Sequence, residues 1–177
     1  MSIRDKAVAW SIDDHLKSFI SVSEVADGEF FAGPLFRRKF GDGLPTIGHH
    51  IVAFYRSSEG AFAAASYLHI WMQGAIGLIG GGCTDGGVLR TMSGQELGLV
   101  NASGGLLKQT LGFCFARFES QLDAYFGHCG EPRAKEVDLS AGFVETELPN
   151  LLVRYNRPLT PARQRQLLEQ VQRIGAF

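Results

Sequence analysis

Residues 132–155 read PRAKEVDLSAGFVETELPNLLVRY, and the rest of the chain is interpreted outward from this stretch. Proline is favoured at the first helical position, so Pro132 predicts a helix start. Ala134 and Val137 are three residues apart and so share one helical face. Gly142 stands where a left-handed residue commonly ends a helix. The first half of the stretch therefore predicts a short helix that ends at a glycine.

The second half of the stretch is extended in character. Phe143 opens an apolar run directly after the glycine. Pro149 and Asn150 are turn residues, and the run LLVRY that follows them is typical of a buried strand. The stretch predicts a helix, a glycine hinge and a terminal pair of strands, in that order.

This order resembles the C-terminal half of the GNAT superfamily, the acyl-CoA-dependent N-acyltransferases. In that family a helix reading Asn-x-x-Ala-x-x-apolar-Tyr-x-x-x-Gly-Phe precedes the last two strands. The alanine, the apolar residue and the Gly-Phe pair match here, whereas Glu131 replaces the asparagine and Asp138 replaces the tyrosine. The resemblance is clearest over residues 51–156.

Composition and charge define the class of protein. The chain has 177 residues, of which 45% are apolar and 20% are charged, so we expect one soluble globular domain over residues 1–177. A net charge of −1 gives no electrostatic reason to expect a nucleic-acid or membrane partner. The N-terminus lacks the continuous apolar segment of a signal peptide. We expect a cytoplasmic protein with a small-molecule substrate, no nucleic acid and no membrane; a homodimer is left open.

The first half of the chain predicts two helices followed by three strands. Residues 11–26 carry an apolar helical stripe behind a capping Ser11, and residues 29–38 form a second helix, broken near Gly33-Pro34. No clear strand precedes the first helix. Three apolar runs then predict consecutive antiparallel strands that include Ile51 to Phe54, Ser66 to Trp71 and Ile76 to Gly80.

The second half predicts helices on either side of a short strand. Ser93 and Glu96 have capping-box spacing, and a long helix follows residues 101–105. Residues 123–128 form a strand, and Thr160-Pro161 starts a helix appended over residues 157–177. The fold class is α/β (α+β), a single GNAT-like domain with a mixed, mostly antiparallel central sheet flanked by helices and an extra C-terminal helix.

The resemblance implies a binding site for the pyrophosphate of acyl-CoA at the start of the long helix. The family's loop has the pattern Gln/Arg-x-x-Gly-x-Gly/Ala, and its backbone N–H groups face the anion. The best match gives the cofactor-binding candidates Asn101, Ser103, Gly104, Gly105 and Leu106. A rival register runs from Gln95 through Gly98 to Val100. The alternative to both is an ordinary helix cap.

Acyl transfer also requires an oxyanion site and a base. By resemblance, a backbone N–H near the end of the third strand stabilises the oxyanion, which indicates Gly81, Gly82 and Cys83. Asp85 directly follows that strand and is the candidate base. Asp-Gly is also a strong turn signal, so a turn residue is the alternative interpretation of Asp85.

A third group, an acid, protonates the leaving thiolate. The family's tyrosine falls on Asp138, which can donate a proton at neutral pH only if burial raises its pKa. The alternative is that Asp138 is a solvated helix residue. Tyr125 on the neighbouring strand is a substitute acid, although a core tyrosine is its alternative interpretation.

The function that the resemblance implies is acyl-CoA-dependent N-acylation, with acetyl-CoA or another acyl-CoA as co-substrate and a small amine or amino group as acceptor. A catalytically silent protein of the same fold that binds a small ligand or a partner protein is the alternative. A metal or Cys/His site at His128-Cys129 and Cys83 is disfavoured, because the spacing matches no metal motif.

Overall fold

The structure, a computed structural model, describes residues 12–175 and residue 177. Its strands are β1 (Ile20–Val25), β2 (His49–Arg56), β3 (Phe62–Gln73), β4 (Ile76–Thr84), β5 (Ala124–His128), β6 (Val144–Glu145) and β7 (Leu151–Tyr155). Its α-helices are α1 (Gly28–Phe40), α2 (Gly86–Thr91), α3 (Gly94–Ala102), α4 (Leu106–Phe118), α5 (Pro132–Ser140) and α6 (Pro161–Ile174).

The strands form one sheet in the order β1-β2-β3-β4-β5-β7-β6. Every neighbouring pair is antiparallel except β4 and β5, which are parallel. The predicted mixed, mostly antiparallel sheet is confirmed, and so are the three consecutive antiparallel strands in the middle of the chain. Helices cover both faces of this sheet, which explains why its strands are apolar on both sides.

Two clusters of apolar side chains pack on the two opposite faces of the sheet. Ile51 and Leu68 pack on one face, in a cluster that includes side chains of α4. Val52 and Tyr67, each next to one of these in sequence, pack on the other face with residues of α1. The appended helix α6 covers β4, β5 and β7 through Leu167 and Val171. Neighbouring strand residues point to opposite faces, so each helix has its own apolar surface to cover.

The predicted helix over residues 11–26 is wrong. Only Asp14–Leu16 form a single 3-10 turn, and Ile20–Val25 form the edge strand β1 instead. Ile20 and Val22 are β-branched and alternate with the exposed Ser21 and Ser23, which is a strand pattern. The proposed cap at Ser11 and the N-terminal stretch before it lie outside the described residues.

Helix α1 is continuous through Pro34, contrary to the predicted break. It begins at the cap Asp27, whose side chain accepts a hydrogen bond from the amide of Phe30. The proline ring is exposed, whereas Leu35 and Phe36 beside it are buried against the sheet. This burial holds the helix together despite the backbone hydrogen bond that a proline removes.

The stretch that opened the sequence analysis folds as predicted. Helix α5 starts at Pro132, and Gly142 follows it with a φ of 96°. Phe143 is buried beside Phe115 of α4, with their ring centroids 5.7 Å apart. The glycine therefore ends the helix, and the phenylalanine packs the chain that leaves the helix against the core.

The parallel pair determines where α4 begins. Strands β4 and β5 are joined by a connection that contains α2, α3 and α4. Because α4 returns the chain to the start of β5, its N-terminus lies at the carboxyl edge of both strands. Ligands of open α/β sheets commonly bind at this edge. Within the described part of the chain, no helix is long and apolar enough to cross a membrane.

Candidate functional site

Strands β4 and β5 separate part of the way along their length. They pair from Ile76 opposite Ala124 to Ile79 opposite Gly127. Residues 80–84 of β4 extend beyond that last pair and, among the described residues, have no strand partner on the β5 side. We call the opening between this part of β4 and the end of β5 the fork. The fork lies at the carboxyl edge of the only parallel strand pair in the described sheet.

A glycine bulge forms the β4 side of the fork. Gly80 pairs with His69 and Cys83 with Tyr67, so two glycines of β4, at positions 81 and 82, stand opposite the single residue between those partners. Gly81 has a φ of 60°, as the glycine of a β-bulge often does. The amides of Gly81 and Gly82 therefore fall outside the regular pairing of β3 with β4.

Helix α4 covers this bulge with its first turn. A Cβ atom at Gly82 would lie 3.3 Å from Cδ1 of Leu107. Cys83, the next residue, is buried, and burial raises the pKa of its thiol to about 11. The structure thus brings the candidate oxyanion residues Gly81, Gly82 and Cys83 to the fork, with Cys83 as a neutral thiol at physiological pH.

The turn before α4 uses three of the amides that were expected to face the cofactor. The amides of Ser103, Gly104 and Gly105 donate to carbonyls of α3, those of Leu99, Asn101 and Val100 respectively. The loop that was predicted to cradle an anion is therefore largely closed on itself. The rival register, Gln95 to Val100, lies inside α3, where interior amides are committed to the helix.

The amides that can still donate to a ligand lie in the first turn of α4, directly after this closed turn. Gly105 is the N-cap of α4 and provides no side-chain hydrogen bond. The next three amides, of Leu106, Leu107 and Lys108, belong to the first helical turn, and no described side chain caps them. The side chain of Leu106 is buried, whereas Lys108 is half-buried. A helix N-terminus with uncapped amides and a nearby ammonium favours an anion.

A groove of about 330 Å³ runs between α4 and α5 beside these amides. Its walls include Lys108, Gly112 and Phe115 from α4, and Ser140 and Ala141 from the end of α5. The groove combines the aromatic ring of Phe115 with the cation Lys108, and Asp13 is also part of its lining. A mostly apolar pocket with a few polar groups is typical of a small-molecule site.

Asp138 of α5 is not a fully solvated residue, which was the alternative interpretation of its sequence position. It is half-buried, and burial raises the pKa of its carboxyl to about 6, although a hydrogen bond with the Cys129 side chain opposes the shift. Cys129 follows the last residue of β5 and is itself buried. Asp138 therefore lies near the β5 side of the fork with a carboxyl that can exchange a proton close to neutral pH.

The other two catalytic candidates have structural partners. Tyr125 is buried in the core, and its hydroxyl donates to the carbonyl of Phe115 over 3.0 Å. Asp85 caps α2 and pairs with Arg38. Burial alone would raise the pKa of Asp85, but hydrogen bonds from Arg38 and from the amide of Gly87 hold it below its usual value. Asp138 is the candidate whose environment favours proton transfer.

One residue at the fork, His69, is not among the site residues that the sequence predicted. His69 of β3 packs against the bulge, because a Cβ atom at Gly80 would lie 2.8 Å from its Cε1 atom. Burial, with His50 nearby, lowers the pKa of His69 to about 4, so its imidazole is neutral. Glycines opposite a strand histidine were the available signal, but the register that aligns them is not readable from sequence.

Metal ligands are not grouped at the fork. Among residues 12–175 and 177, no three His, Cys, Asp or Glu side chains are arranged to hold a metal ion. A second cavity, of about 420 Å³, is lined by the β2–β3 hairpin and α3, including Arg56, Ser57 and Gln95. It contains no residue of β4, β5 or α5.

Comparison with known proteins identifies the fold. No protein-family model and no curated protein matches the sequence. N-acetylglutamate synthase from Neisseria gonorrhoeae, solved with coenzyme A and L-arginine, matches with a TM-score of 0.51 at 11% identity over 77% of this chain. The chain spans about a third of that protein, 33% of its length. At this identity the likeness shows the fold alone.

Two further structures correct the expectation about partners. KacTA bound to DNA matches at 16% identity and a TM-score of 0.45, over 86% of this chain and 99% of that one. AtaT bound to acetyl-methionyl-tRNAfMet matches at 12% identity and a TM-score of 0.41, over 85% and 99%. Both of those proteins are bound to nucleic acid, so the expectation that nucleic-acid partners are absent is not kept, and the small-molecule substrate stays a prediction.

Proposed function

From the premise that this chain has the fold of the GNAT acyltransferases, we propose that it transfers an acyl group from acyl-CoA to an amino group. The observation that carries the proposal is the fork, which has a glycine bulge on its β4 side and the half-buried Asp138 near its β5 side. A thioester placed between them would meet backbone donors and a proton donor together.

The groove between α4 and α5 is the proposed site for CoA. The uncapped amides of Leu106, Leu107 and Lys108 suit its pyrophosphate, and the Lys108 ammonium adds charge. The groove, of about 330 Å³, is proposed to receive part of the pantetheine chain. Acyl-CoA supplies an activated carbonyl, and the chain's own residues supply the charge stabilisation around it.

The backbone at Gly81 and Gly82 is proposed to stabilise the oxyanion. When the amine nitrogen bonds to the thioester carbon, the carbonyl oxygen gains negative charge. Amides outside the regular strand pairing can donate to that oxygen without breaking the sheet. Glycine allows the close approach, since a side chain at either position would meet Phe36, His69 or Leu107.

Asp138 is proposed to provide the proton for the leaving group. As the oxyanion reforms the carbonyl, the carbon–sulfur bond breaks and the sulfur takes the carboxyl proton of Asp138. The nitrogen releases one proton in forming the amide, and the Asp138 carboxylate regains one from solvent. A carboxyl that titrates near 6 exchanges protons efficiently in this range.

A catalytically silent binding protein is the second candidate, and one observation favours it. The amides of Ser103, Gly104 and Gly105 are already used by carbonyls of α3, so the site offers fewer donors than the sequence predicted. Such a protein would bind CoA without transferring the acyl group, or would bind no CoA.

A thermal-shift titration with CoA, combined with an assay for thiol release from acetyl-CoA in the presence of amines, separates these outcomes. A ligand that binds only the folded state stabilises it by about 2.7 kcal/mol at a hundredfold excess over its dissociation constant. Gly82→Val places a side chain towards Leu107 in the fork and should abolish both signals. Gly98→Ala is the matched control, because no atom lies within 4 Å of a Cβ there. Unchanged CoA binding and transfer in Gly82→Val would contradict the proposal.

A further inference from the structure

His69 has a buried nitrogen without a partner. Among the described residues, its Nδ1 atom is the buried side-chain nitrogen or oxygen that has no hydrogen bond. The neighbouring buried polar groups are satisfied, since Nδ1 of His50 and the hydroxyl of Tyr67 lie 2.8 Å apart. Leaving a buried donor or acceptor unpaired is unfavourable, so the orphaned atom calls for an explanation.

The orphaned nitrogen lies beside the proposed oxyanion site. A Cβ atom at Gly81 would be 3.1 Å from Nδ1 of His69, and one at Gly80 would be 3.1 Å from Nε2. The imidazole therefore packs directly on the bulge where β4 leaves β5. It is on the α1 face of the sheet, opposite the face that α4 and the CoA groove cover.

The surroundings of the imidazole are aromatic. A Cβ atom at Gly81 would also be 2.6 Å from Cε2 of Phe36, so that ring lies next to Nδ1. Phe36 packs edge-on against Tyr67, with their ring centroids 5.7 Å apart, and against Phe40, which is 46% exposed. The rings of Phe36 and Phe40 thus form an apolar layer between the surface at α1 and the unpaired nitrogen.

On the basis of the proposed function, we propose that His69 binds the amino group of the acceptor. The neutral amine enters on the α1 face, displaces the edge of Phe36 and donates an N–H hydrogen bond to Nδ1. This contact holds the nitrogen lone pair next to the bulge, on the side of the sheet opposite CoA. The acceptor class is a primary amine on an apolar or aromatic stem.

The neutral state of the imidazole fits this role. Burial and the nearby His50 lower the pKa of His69 to about 4, so the ring does not repel an amine at neutral pH. A protonated imidazole would offer only donors, whereas the neutral ring can accept at Nδ1. His69 orients the neutral amine, and the proton that the nitrogen loses in forming the amide passes to solvent.

The test uses phenethylamine as the acceptor probe and His69→Leu as the variant. We expect at least a tenfold rise in KM for phenethylamine with acetyl-CoA, while kcat at saturation and the CoA thermal shift change less than threefold. Because Leu removes an unpaired nitrogen, the melting temperature should hold or rise, whereas a structural role for His69 would lower it. His15→Leu, at an exposed position, is the control and should change none of these values.

A second measurement does not depend on turnover. In long-range ¹H–¹⁵N spectra of the full chain saturated with CoA, phenethylamine should shift the Nδ1 resonance of His69. An unchanged KM in His69→Leu, or an unshifted resonance together with no product from the wild type, would overturn the inference. If CoA itself neither binds nor reacts, it is the proposed function that fails, and the thermal shift reports this independently.

Discussion

The carboxyl of Asp138 and the thiol of Cys129 influence each other's pKa at the end of β5, where the thiol donates a hydrogen bond to the carbonyl of Glu131. Burial raises the pKa of the carboxyl to about 6 and that of the thiol to about 11. The thiol therefore stays protonated across the physiological range, and the carboxyl is the group of this pair that changes its charge. In the sequence, Asp138 looks like an ordinary surface aspartate of a helix. In the folded chain it lies beside the fork, where it can exchange a proton.

Asp138→Asn should lower the acyl-transfer rate by about a hundredfold or more, the usual loss when a positioned acid is removed. In the wild type, kcat should fall as the pH rises through about 6, because only the protonated carboxyl donates. The variant should lack this decline. Steady-state rates between pH 5 and pH 9 check the prediction, with Glu136→Gln, an exposed acid on the same helix, as the control. A loss of only a few-fold would remove Asp138 from the mechanism.

The same substitution should change stability in a pH-dependent way. The pKa of Asp138 rises from 3.8 to about 6 on folding, so between these values the unfolded chain loses the proton first. The carboxyl of Asp138 therefore makes its whole contribution to the free energy of unfolding below about pH 4. This contribution is lost as the pH rises through about 6. Since the carboxyl is only half-buried, we expect a loss on the order of 1 kcal/mol.

Urea unfolding of wild type and Asp138→Asn at pH 4 and pH 7.5 measures this difference. The free energy of unfolding of the variant minus that of the wild type should be larger at pH 7.5 than at pH 4. An equal difference at both values would show that the carboxyl titrates normally, and the proposed proton donor would lose its physical basis.

Phe143→Ala should destabilise the protein by about 3–5 kcal/mol, the usual cost of truncating a buried phenylalanine. Phe143 is 3% exposed and contacts Phe115 at the hinge after α5. Phe62→Ala is the control, because Phe62 is 65% exposed and should cost well under about 1 kcal/mol. Urea denaturation gives both values; equal midpoints for the two variants would contradict the anchoring role of Phe143.

Much of the fold could be predicted because local signals and tertiary packing agree. Pro132, Gly142 and Phe143 specify helix, hinge and buried strand entry by their own chemistry. The three apolar runs in the middle are separated by clear turn residues, and they form three consecutive strands. The helix predicted over residues 11–26 failed because Leu16, Phe19 and Ile20 fit a helical spacing although the chain turns and extends there.

The site was harder to predict because its properties depend on burial. The pKa of Asp138 results from its burial in the folded chain, and the turn at Ser103 is closed by hydrogen bonds to the carbonyls of Leu99, Val100 and Asn101 that the sequence pattern does not reveal. The orphaned nitrogen of His69 depends on the register between β3 and β4, which a bulge shifts. The sequence could name Asp85 and Asp138 as candidates from their residue type and position. Only the tertiary structure shows that Asp85 caps a helix and that Asp138 has a raised pKa.

The most direct test of the proposed site is amide chemical-shift mapping of the ¹⁵N-labelled protein with acetyl-CoA. We predict that the largest shifts occur at Leu106, Leu107 and Lys108 at the start of α4, and at Gly81 and Gly82 in the bulge. Saturable shifts confined to these residues and to the end of α5 would support the site. Shifts confined to the cavity lined by Arg56 and Gln95, or none at millimolar acetyl-CoA, would contradict it.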